Sequence, residues 1–193
     1  MRPAVFLDRD GTINRDPGYL TDPELLQIFE DVPQALRLLQ LSGYALVVVT
    51  NQSGVARGCF TEHRLADIHG RLLQLLGNEG IVLDGIYYCP HHPYASLEVY
   101  RRNCNCRKPE PGLLLQAAQD LELDLARSVM VGDSISDIQA GRRAGCGLTV
   151  LVRASYPPAI RSEDSAGGTP DFITNKLGVA AQWIISKQEG RCF

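Results

Sequence analysis

The sequence has no excess of basic residues, no block of like charges and no long hydrophobic run, and each absence excludes a class of function. Lysine and arginine number 19 against 22 acidic residues, which gives a formal net charge of −3. This balance, without a basic aromatic stripe, argues against nucleic acid as a partner. No apolar run approaches the roughly 20 residues that span a bilayer, and no apolar signal-peptide core follows the N-terminus. We therefore expect a cytoplasmic protein with no membrane partner.

Internal repeats and a domain boundary are also lacking. The 193 residues are most simply one domain, residues 1–193, which is large enough to bury a core without cross-links. In such a setting the six cysteines are more typical of thiols or metal ligands than of disulfides. Because no long exposed apolar stripe is left over when the helices are assigned to the sheet, we predict a monomer.

Apolar runs that alternate with helical patterns indicate the fold class. Strands are predicted at residues 4–7, 45–49, 85–88, 128–131, 148–152 and 172–173. Helices are predicted to begin near Asp31, Thr61, Pro111, Ile135 and Leu177, with Asp31 as the cap of the first. This alternation predicts an α/β fold, a doubly wound, Rossmann-like parallel sheet covered on both faces. Residues 15–30 and 154–170 are predicted to be loops, the first a short flap beside the active end.

The opening stretch PAVFLDRDGTIN, residues 3–14, is the segment around which we expect the site to form. Its apolar run ends in two carboxylates, Asp8 and Asp10, and Gly11 lets the chain turn away. Ligands of open α/β sheets bind at the carboxyl ends of the strands. Paired carboxylates there suit Mg²⁺, which keeps most of its coordination sites for water and phosphate oxygens. The alternative is a solvated Asp-Gly turn, which is a common feature in its own right.

The two carboxylates have the chemistry that phosphoryl transfer requires. Asp8 can act as the nucleophile and form an aspartyl-phosphate. Asp10 can protonate the leaving alkoxide and then deprotonate the attacking water, a task suited to a carboxyl group with a somewhat raised pKa. Asp133, which follows a later strand, can complete a metal site with Asp8 and the backbone carbonyl of Asp10. Taken alone, Asp133 is equally typical of a helix cap.

Groups that can bind a phosphate lie at other predicted strand ends and loops. Thr50 and Asn51 can donate to phosphate oxygens, and Lys108 can neutralise their charge. Taken alone, Lys108 is equally typical of a solvated surface residue. The full pattern is DRDGT, a strand that ends in Thr50, then Lys108-Pro109, then Gly132-Asp133 followed by Asp137. It resembles the four motifs of the haloacid dehalogenase-like (HAD) phosphatases, a resemblance that implies an Mg²⁺-dependent phosphatase.

Four soft metal ligands lie in a Pro-rich segment at about residues 89–108. The sequence Cys-Pro-His-His, which begins at Cys89, is followed by Cys-Asn-Cys. Three thiolates and one imidazole match the ligand count of a closed structural zinc site, and the C-x-H spacing favours His91 over His92. The alternative is a set of buried thiols with two loop histidines. We predict a structural Zn²⁺ site formed by Cys89, His91, Cys104 and Cys106. Such a site would direct Arg107 and Lys108 towards the phosphate.

Over nearly the entire chain, the whole set is similar to the D,D-heptose 1,7-bisphosphate phosphatases. The similarity includes VFLDRDGTIN, D-x-G-Y at residues 16–19, TNQSGVARG at residues 50–58 and the zinc loop. It implies hydrolysis of the C7 phosphate of a small sugar bisphosphate, in the biosynthesis of nucleotide-activated heptose for lipopolysaccharide core or surface glycan. Arg107 would recognise the distal phosphate. The resemblance implies substrate contacts by Asp16, Gly18, Tyr19, Asn51, Gln52, Ser53, Arg57, Arg107 and Ser134.

The resemblance has one departure and leaves two alternatives. Ser134 stands where some family members carry a lysine that helps to bind substrate, which affects the expected anomer preference. With a short flap and a zinc loop instead of a large cap domain, substrate choice is expected to depend on loops. The nearest alternative is a histidinol-phosphate phosphatase, which shares most motifs but has a shorter gap between C-x-H and C-x-C. The other is a zinc-stabilised binding module without catalysis.

Overall fold

The computed structural model describes residues 1–153 and 168–189, and six strands among them form one parallel sheet. The strands are β1 (Ala4–Leu7), β2 (Ala45–Asn51), β3 (Gly85–Cys89), β4 (Val129–Gly132), β5 (Leu148–Val152) and β6 (Phe172–Thr174). Their order in the sheet is β3-β2-β1-β4-β5-β6. This is the order of doubly wound sheets, and it confirms the predicted fold class.

Helices cover both faces of the sheet, because strand residues alternate between two apolar layers. In β1, Val5 and Leu7 belong to one hydrophobic cluster, and Ala4 and Phe6 belong to the other. The helices are α1 (Val32–Leu41), α2 (Ser53–Ala56), α3 (Glu62–Asn78), α4 (Gly112–Asp120), α5 (Ile135–Ala144) and α6 (Leu177–Glu189). The first layer is completed by α1, α3 and α6, and the second by α4 and α5.

Most predicted elements are confirmed within a few residues. β2 extends beyond its predicted end at residue 49, because Thr50 and Asn51 pair with Tyr88 and Cys89 of β3. The short helix α2 was not predicted, since four residues carry no readable period. The flap at residues 15–30 contains one 3-10 turn, Pro23–Leu25, and otherwise follows the predicted loop. The predicted loop at 154–170 lies, for residues 154–167, outside the described residues.

The predicted capping role of Asp31 is wrong for the side chain. Asp31 occupies the N-cap position of α1 but has helical backbone angles and makes no side-chain cap hydrogen bond there. Its Oδ2 instead accepts from the N–H of Gly178 in α6, at 2.8 Å. The carboxylate therefore satisfies an orphan donor in the first turn of a different helix, which packs against α1. Tertiary packing thus determines which N–H the Asp31 carboxylate binds, whereas the local sequence predicted a bond within α1.

Within residues 1–153 and 168–189, no helix is both long enough and apolar enough to cross a bilayer.

Candidate active site

The carboxyl ends of β1, β2 and β4 border a cavity of about 410 Å³. β1 lies between β2 and β4, where the order of the strands changes direction along the sheet. Open α/β sheets bind their ligands at such a point. The structure brings twelve of the predicted residues to this cavity: Asp8, Asp10, Asp16, Gly18, Tyr19, Thr50, Asn51, Gln52, Ser53, Lys108, Asp133 and Ser134.

Lys108 lies buried between two carboxylates. Its Nζ is 2.5 Å from Oδ1 of Asp8 and 2.6 Å from Oδ1 of Asp137, and it donates to the carbonyl of Val49 at 2.7 Å. Burial disfavours the charged amine, but the two carboxylates outweigh this effect and raise the pKa of Lys108. With a side chain that is 2% exposed, Lys108 is not the solvated surface lysine of the alternative interpretation.

Three carboxylates meet beside this lysine. Oxygens of Asp8, Asp133 and Asp137 all lie within 4.8 Å of one another. Burial, with the neighbouring carboxylates, raises the pKa of Asp8 to about 8 despite the Lys108 ammonium. Burial and Asp137 likewise raise the pKa of Asp133 to about 6. Such a cluster is short of positive charge, and hard carboxylate oxygens are the ligands that Mg²⁺ prefers. The donor set therefore fits that ion.

Gly11 makes the approach of Asp133 possible. It has φ +81°, and an added Cβ would lie 2.3 Å from Oδ2 of Asp133. Glycine is thus needed twice, for a left-handed backbone and for the space that the carboxylate occupies. The turn after β1 and the turn after β4 can touch only because this position has no side chain.

Asp137 was not among the predicted site residues, although the spacing after Asp133 was noted. Its side chain is 2% exposed and ion-pairs with Lys108. Its other oxygen accepts from the N–H and hydroxyl of Ser134, at 3.0 and 2.9 Å. The available signal was a second aspartate one helical turn beyond Asp133, which places both at the start of a helix that follows a buried strand.

The Asp10 carboxylate is not part of the three-carboxylate cluster. Arg9 donates to it through Nε and Nη2, at 3.0 and 2.7 Å, and Asn14 and Gln52 donate at 2.9 Å each. Burial would raise the pKa of Asp10, but these donors outweigh it and lower the pKa instead. The expectation of a raised pKa is therefore wrong for this structure. Sequence could not show that Arg9 folds inwards, where it is 1% exposed.

Two further cavity residues are fixed by local backbone geometry. In the flap, Oδ1 of Asp16 accepts from the N–H of Gly18 at 2.8 Å, and this turn presents Tyr19 at the cavity mouth, 44% exposed. Ser134 precedes α5 and its hydroxyl binds Asp137 and Ser136. The Ser134 hydroxyl is thus already hydrogen-bonded at the start of the helix.

The four predicted zinc ligands lie together, and their donor atoms are within 4.8 Å of one another. The sulfur atoms of Cys89, Cys104 and Cys106 are 3.2–3.5 Å apart, too far for disulfides. His91 Nδ1 is 3.7 and 3.4 Å from the sulfurs of Cys89 and Cys106. A tetrahedral zinc ion with zinc–sulfur bonds of about 2.3 Å needs its ligand atoms about 3.8 Å apart, so these atoms, which lie slightly closer together, are compatible with zinc. His92 instead accepts from the N–H of Tyr94, at 3.1 Å.

Arg57 and Arg107, both predicted to contact substrate, do not line the cavity in the part of the chain that the structure describes. They lie near His92 instead. Nη2 of Arg57 is 3.5 Å from Nε2 of His92, and burial, Arg107 and Arg57 lower the pKa of this histidine. Arg107 also donates to the carbonyl of His91 at 3.2 Å. The two arginines thus form a positive region at the zinc loop, with Arg107 on the loop and Arg57 beside it, rather than part of the cavity wall.

Comparison with known proteins gives full-length likenesses. A model of the HAD-hydrolase-like family matches residues 105–180. The chain is 47% identical, over 97% of both chains, to a protein of Salmonella typhi named D-glycero-beta-D-manno-heptose-1,7-bisphosphate 7-phosphatase. A Vibrio cholerae protein of the same name is 48% identical over 89% of this chain and 92% of its own.

A solved structure supports the same likeness. The D,D-heptose 1,7-bisphosphate phosphatase from B. bronchiseptica, complexed with magnesium and phosphate, has a TM-score of 0.80 and 34% identity. The match covers 96% of this chain and 99% of that one.

Proposed function

The chain belongs to the D-glycero-D-manno-heptose-1,7-bisphosphate 7-phosphatase family of the HAD-like hydrolases, and from this premise we propose that it hydrolyses the C7 phosphate of that sugar bisphosphate. The names of its relatives specify the β anomer, and we propose the same anomer here. The site observation that carries the proposal is the contact of Lys108 with Asp8, beside a three-carboxylate cluster that fits Mg²⁺. The product would supply the synthesis of nucleotide-activated heptose.

Asp8 is the proposed nucleophile. One of its carboxylate oxygens attacks phosphorus, the bond from phosphorus to the C7 oxygen breaks, and an aspartyl-phosphate forms. Asp10 gives a proton to the leaving alkoxide, and in the second half-reaction it takes one from the water that releases phosphate. Lys108 and Thr50 stabilise the charge on the phosphoryl oxygens. Bound at Asp8, Asp133 and the Asp10 carbonyl, Mg²⁺ would offset charge on the phosphate.

The zinc loop is proposed to have an organising role. Zinc held by Cys89, His91, Cys104 and Cys106 would fix the segment that ends at Arg107 and Lys108. Arg107, with Arg57, then offers positive charge to the phosphate that is not cleaved. The position of both arginines near His92 supports this division, since it lies apart from the cavity that Lys108 lines.

The test is phosphate release, with Mg²⁺ present, from both anomers of the heptose bisphosphate, measured beside histidinol phosphate. We expect kcat/KM for the β anomer to be at least about tenfold higher than for the other two substrates, and Asp8→Asn to lower kcat at least about a thousandfold. A preference for histidinol phosphate would contradict the proposed substrate. A failure to release phosphate from any member of a broad phosphoester panel would favour a binding module.

A further inference from the structure

Asn51 binds the backbone of Lys108 at both ends of its amide group. Its Nδ2 donates to the Lys108 carbonyl and its Oδ1 accepts from the Lys108 N–H, both at 3.0 Å. Lys108 lies outside the helices and strands, between β3 and α4. Because no helix or sheet ladder fixes the backbone at this point, the paired bonds to the last residue of β2 take over that task.

The far end of Lys108 is held as firmly. The three hydrogens of its ammonium face Asp8, Asp137 and the carbonyl of Val49. Val49 precedes Asn51 by two residues in the same strand, so β2 binds both ends of the lysine. A shift of the Lys108 backbone would therefore move Nζ relative to Asp8, and errors of about 1 Å in such positions cost up to roughly a hundredfold in rate.

The amide of Gln52 holds Asp10 in place, as the amide of Asn51 holds Lys108. Its Nε2 donates to Oδ2 of Asp10 and to Oγ1 of Thr50, both at 2.9 Å. Its Oε1 accepts from Nη2 of Arg9 at 3.2 Å. Arg9 in turn binds both oxygens of Asp10. The carboxylate is therefore oriented by two buried side chains, 4% and 1% exposed, which contact each other.

The family resemblance implies that both amides contact the sugar or its phosphates, but their polar atoms already have protein partners. Both N–H bonds of the Gln52 amide are donated within the protein, and both functional ends of the Asn51 amide bind one residue. We propose that Asn51 and Gln52 are positioning residues: Asn51 fixes Lys108, and Gln52, together with Arg9, fixes Asp10. This inference rests on the proposed phosphatase reaction and assigns the amides a role within it.

The effect of a substitution on the rate should depend on the substrate differently at Asn51 and at Gln52. Lys108 acts on the phosphoryl group, which every substrate shares, so loss of Asn51 should slow all substrates equally. Asp10 acts on the leaving group, and a sugar alkoxide needs its proton whereas p-nitrophenolate leaves without one. Gln52 also binds the Thr50 hydroxyl, which faces the shared phosphoryl group. Loss of Gln52 should therefore slow the first chemical step much more for the heptose bisphosphate than for p-nitrophenyl phosphate.

The experiment compares Asn51→Ala and Gln52→Ala with wild type on both substrates. Asn51→Ala should lower kcat about thirtyfold for each substrate, with KM changed less than about threefold. Gln52→Ala should lower kcat for the heptose bisphosphate about tenfold, while p-nitrophenol release with enzyme in excess stays within about threefold of wild type. Gln116→Ala, an exposed amide on α4, is the matched control and should leave all values unchanged.

Near-isosteric variants guard against loss of folding. Asn51→Leu and Gln52→Met keep most of the side-chain volume, and melting temperature and zinc content identify the folded proteins. A rise in KM for the heptose bisphosphate alone, with kcat and p-nitrophenyl phosphate turnover unchanged, would show substrate contacts and overturn the inference. If the Gln52 variants lost p-nitrophenol release as strongly as turnover of the heptose bisphosphate, the assignment of Gln52 as a positioning residue for Asp10 would be overturned.

The proposed function can fail separately. If wild type hydrolyses p-nitrophenyl phosphate but not the heptose bisphosphate, the substrate proposal is wrong. In that case, a loss of p-nitrophenyl phosphate turnover in Asn51→Ala would still support the positioning of Lys108 by Asn51. Turnover of p-nitrophenyl phosphate at the wild-type rate in Asn51→Ala would overturn it.

Discussion

Asp137 combines a structural bond and an electrostatic one in a single buried side chain. One oxygen binds Nζ of Lys108 at 2.6 Å, and the other accepts from the N–H and hydroxyl of Ser134 at the start of α5. The first bond contributes to the charge balance of the site, and the second stabilises the start of the helix. Amide and alanine substitutions separate the two, because an amide oxygen can still accept from Ser134.

We predict that Asp137→Asn raises the Mg²⁺ concentration for half-maximal activity about tenfold, because one negative charge leaves the cluster. Its melting temperature should fall by a few degrees, because the buried ion pair with Lys108 is lost while the repulsion from Asp8 and Asp133 is relieved. Asp137→Ala should show the same Mg²⁺ shift and a further loss of about 1 kcal/mol in the free energy of unfolding, since the cap bond is also lost. Mg²⁺ titration of activity and urea unfolding measure the two effects. An unchanged Mg²⁺ dependence in both variants would show that Asp137 does not contribute to the metal site.

At this scale, sequence predicted which residues meet and missed how some of them point. Asp8 and Asp133 follow buried strands and Thr50 lies near the end of another, so sheet topology alone brings them to one edge. The inward position of the Arg9 side chain involves Gln52, which follows β2, and the lowered pKa of Asp10 also involves Asn14, at the end of the same turn. Side-chain direction in such turns is a tertiary property, and no spacing in the sequence encodes it.

The elements next to the site are turns, and the turn after β1 allows a matched comparison. Gly11 and Gly80 both have positive φ, +81° and +72°. An added Cβ would meet Asp133 at Gly11, but it would meet nothing within 4 Å at Gly80, between α3 and β3. The two positions thus share backbone strain and differ in the contact that they would create.

We predict that Gly11→Ala and Gly80→Ala each lose about 1–2 kcal/mol in the free energy of unfolding, from the left-handed backbone. Only Gly11→Ala should also lower kcat and raise the Mg²⁺ requirement, because its methyl group displaces the Asp133 carboxylate. Thermal unfolding and Mg²⁺-dependent phosphate release provide the measurements. If Gly80→Ala impaired the Mg²⁺ response equally, strain rather than contact would be the cause.

The edge strand β6 begins at a carboxylate whose pKa is shifted. Oδ2 of Asp171 accepts from the N–H and hydroxyl of Thr149, at 2.7 and 3.2 Å, and pairs with Arg142 of α5 at 2.8 Å. Burial would raise the pKa of Asp171, but the Arg142 and Thr149 bonds outweigh it and lower the pKa below 3.8. A lowered pKa stabilises the folded state above the unfolded value and loses that effect as pH falls through the folded value.

We therefore predict that Asp171→Asn is less stable than wild type at pH 7, and that the difference shrinks as pH falls below about 3.8. Urea unfolding across this range measures it. Glu110→Gln breaks a surface pair with Arg143, half exposed, and should show little difference at any pH. If the difference in stability between Asp171→Asn and wild type persisted unchanged at the lowest pH, the ionised carboxylate would be ruled out as its source.

For the whole molecule, the alternation of strands and helices predicted a parallel sheet with two covered faces, and this is confirmed. The order of the strands could not be predicted, because it depends on which face each helix covers rather than on any local pattern. The order matters for function, since it places β2 and β4 on either side of β1. The zinc loop then crosses from the end of β3 to α4, and returns Lys108 to the centre of the sheet edge.

The zinc loop and β2 meet at Lys108, so loss of zinc should act on catalysis through this residue. Cys106 is two positions before Lys108, and Asn51 binds the lysine from the other side.

We predict at least about half an equivalent of zinc in wild type purified without chelator, and almost none in Cys104→Ser. This variant should melt several degrees lower and lose kcat on every phosphoester, with its Mg²⁺ dependence unchanged. Cys59→Ser, an exposed cysteine outside the cluster, is the control and should match wild type. A zinc-free Cys104→Ser protein with full activity would separate the loop from catalysis, because the position of Lys108 would then be held by Asn51 and the carboxylates alone.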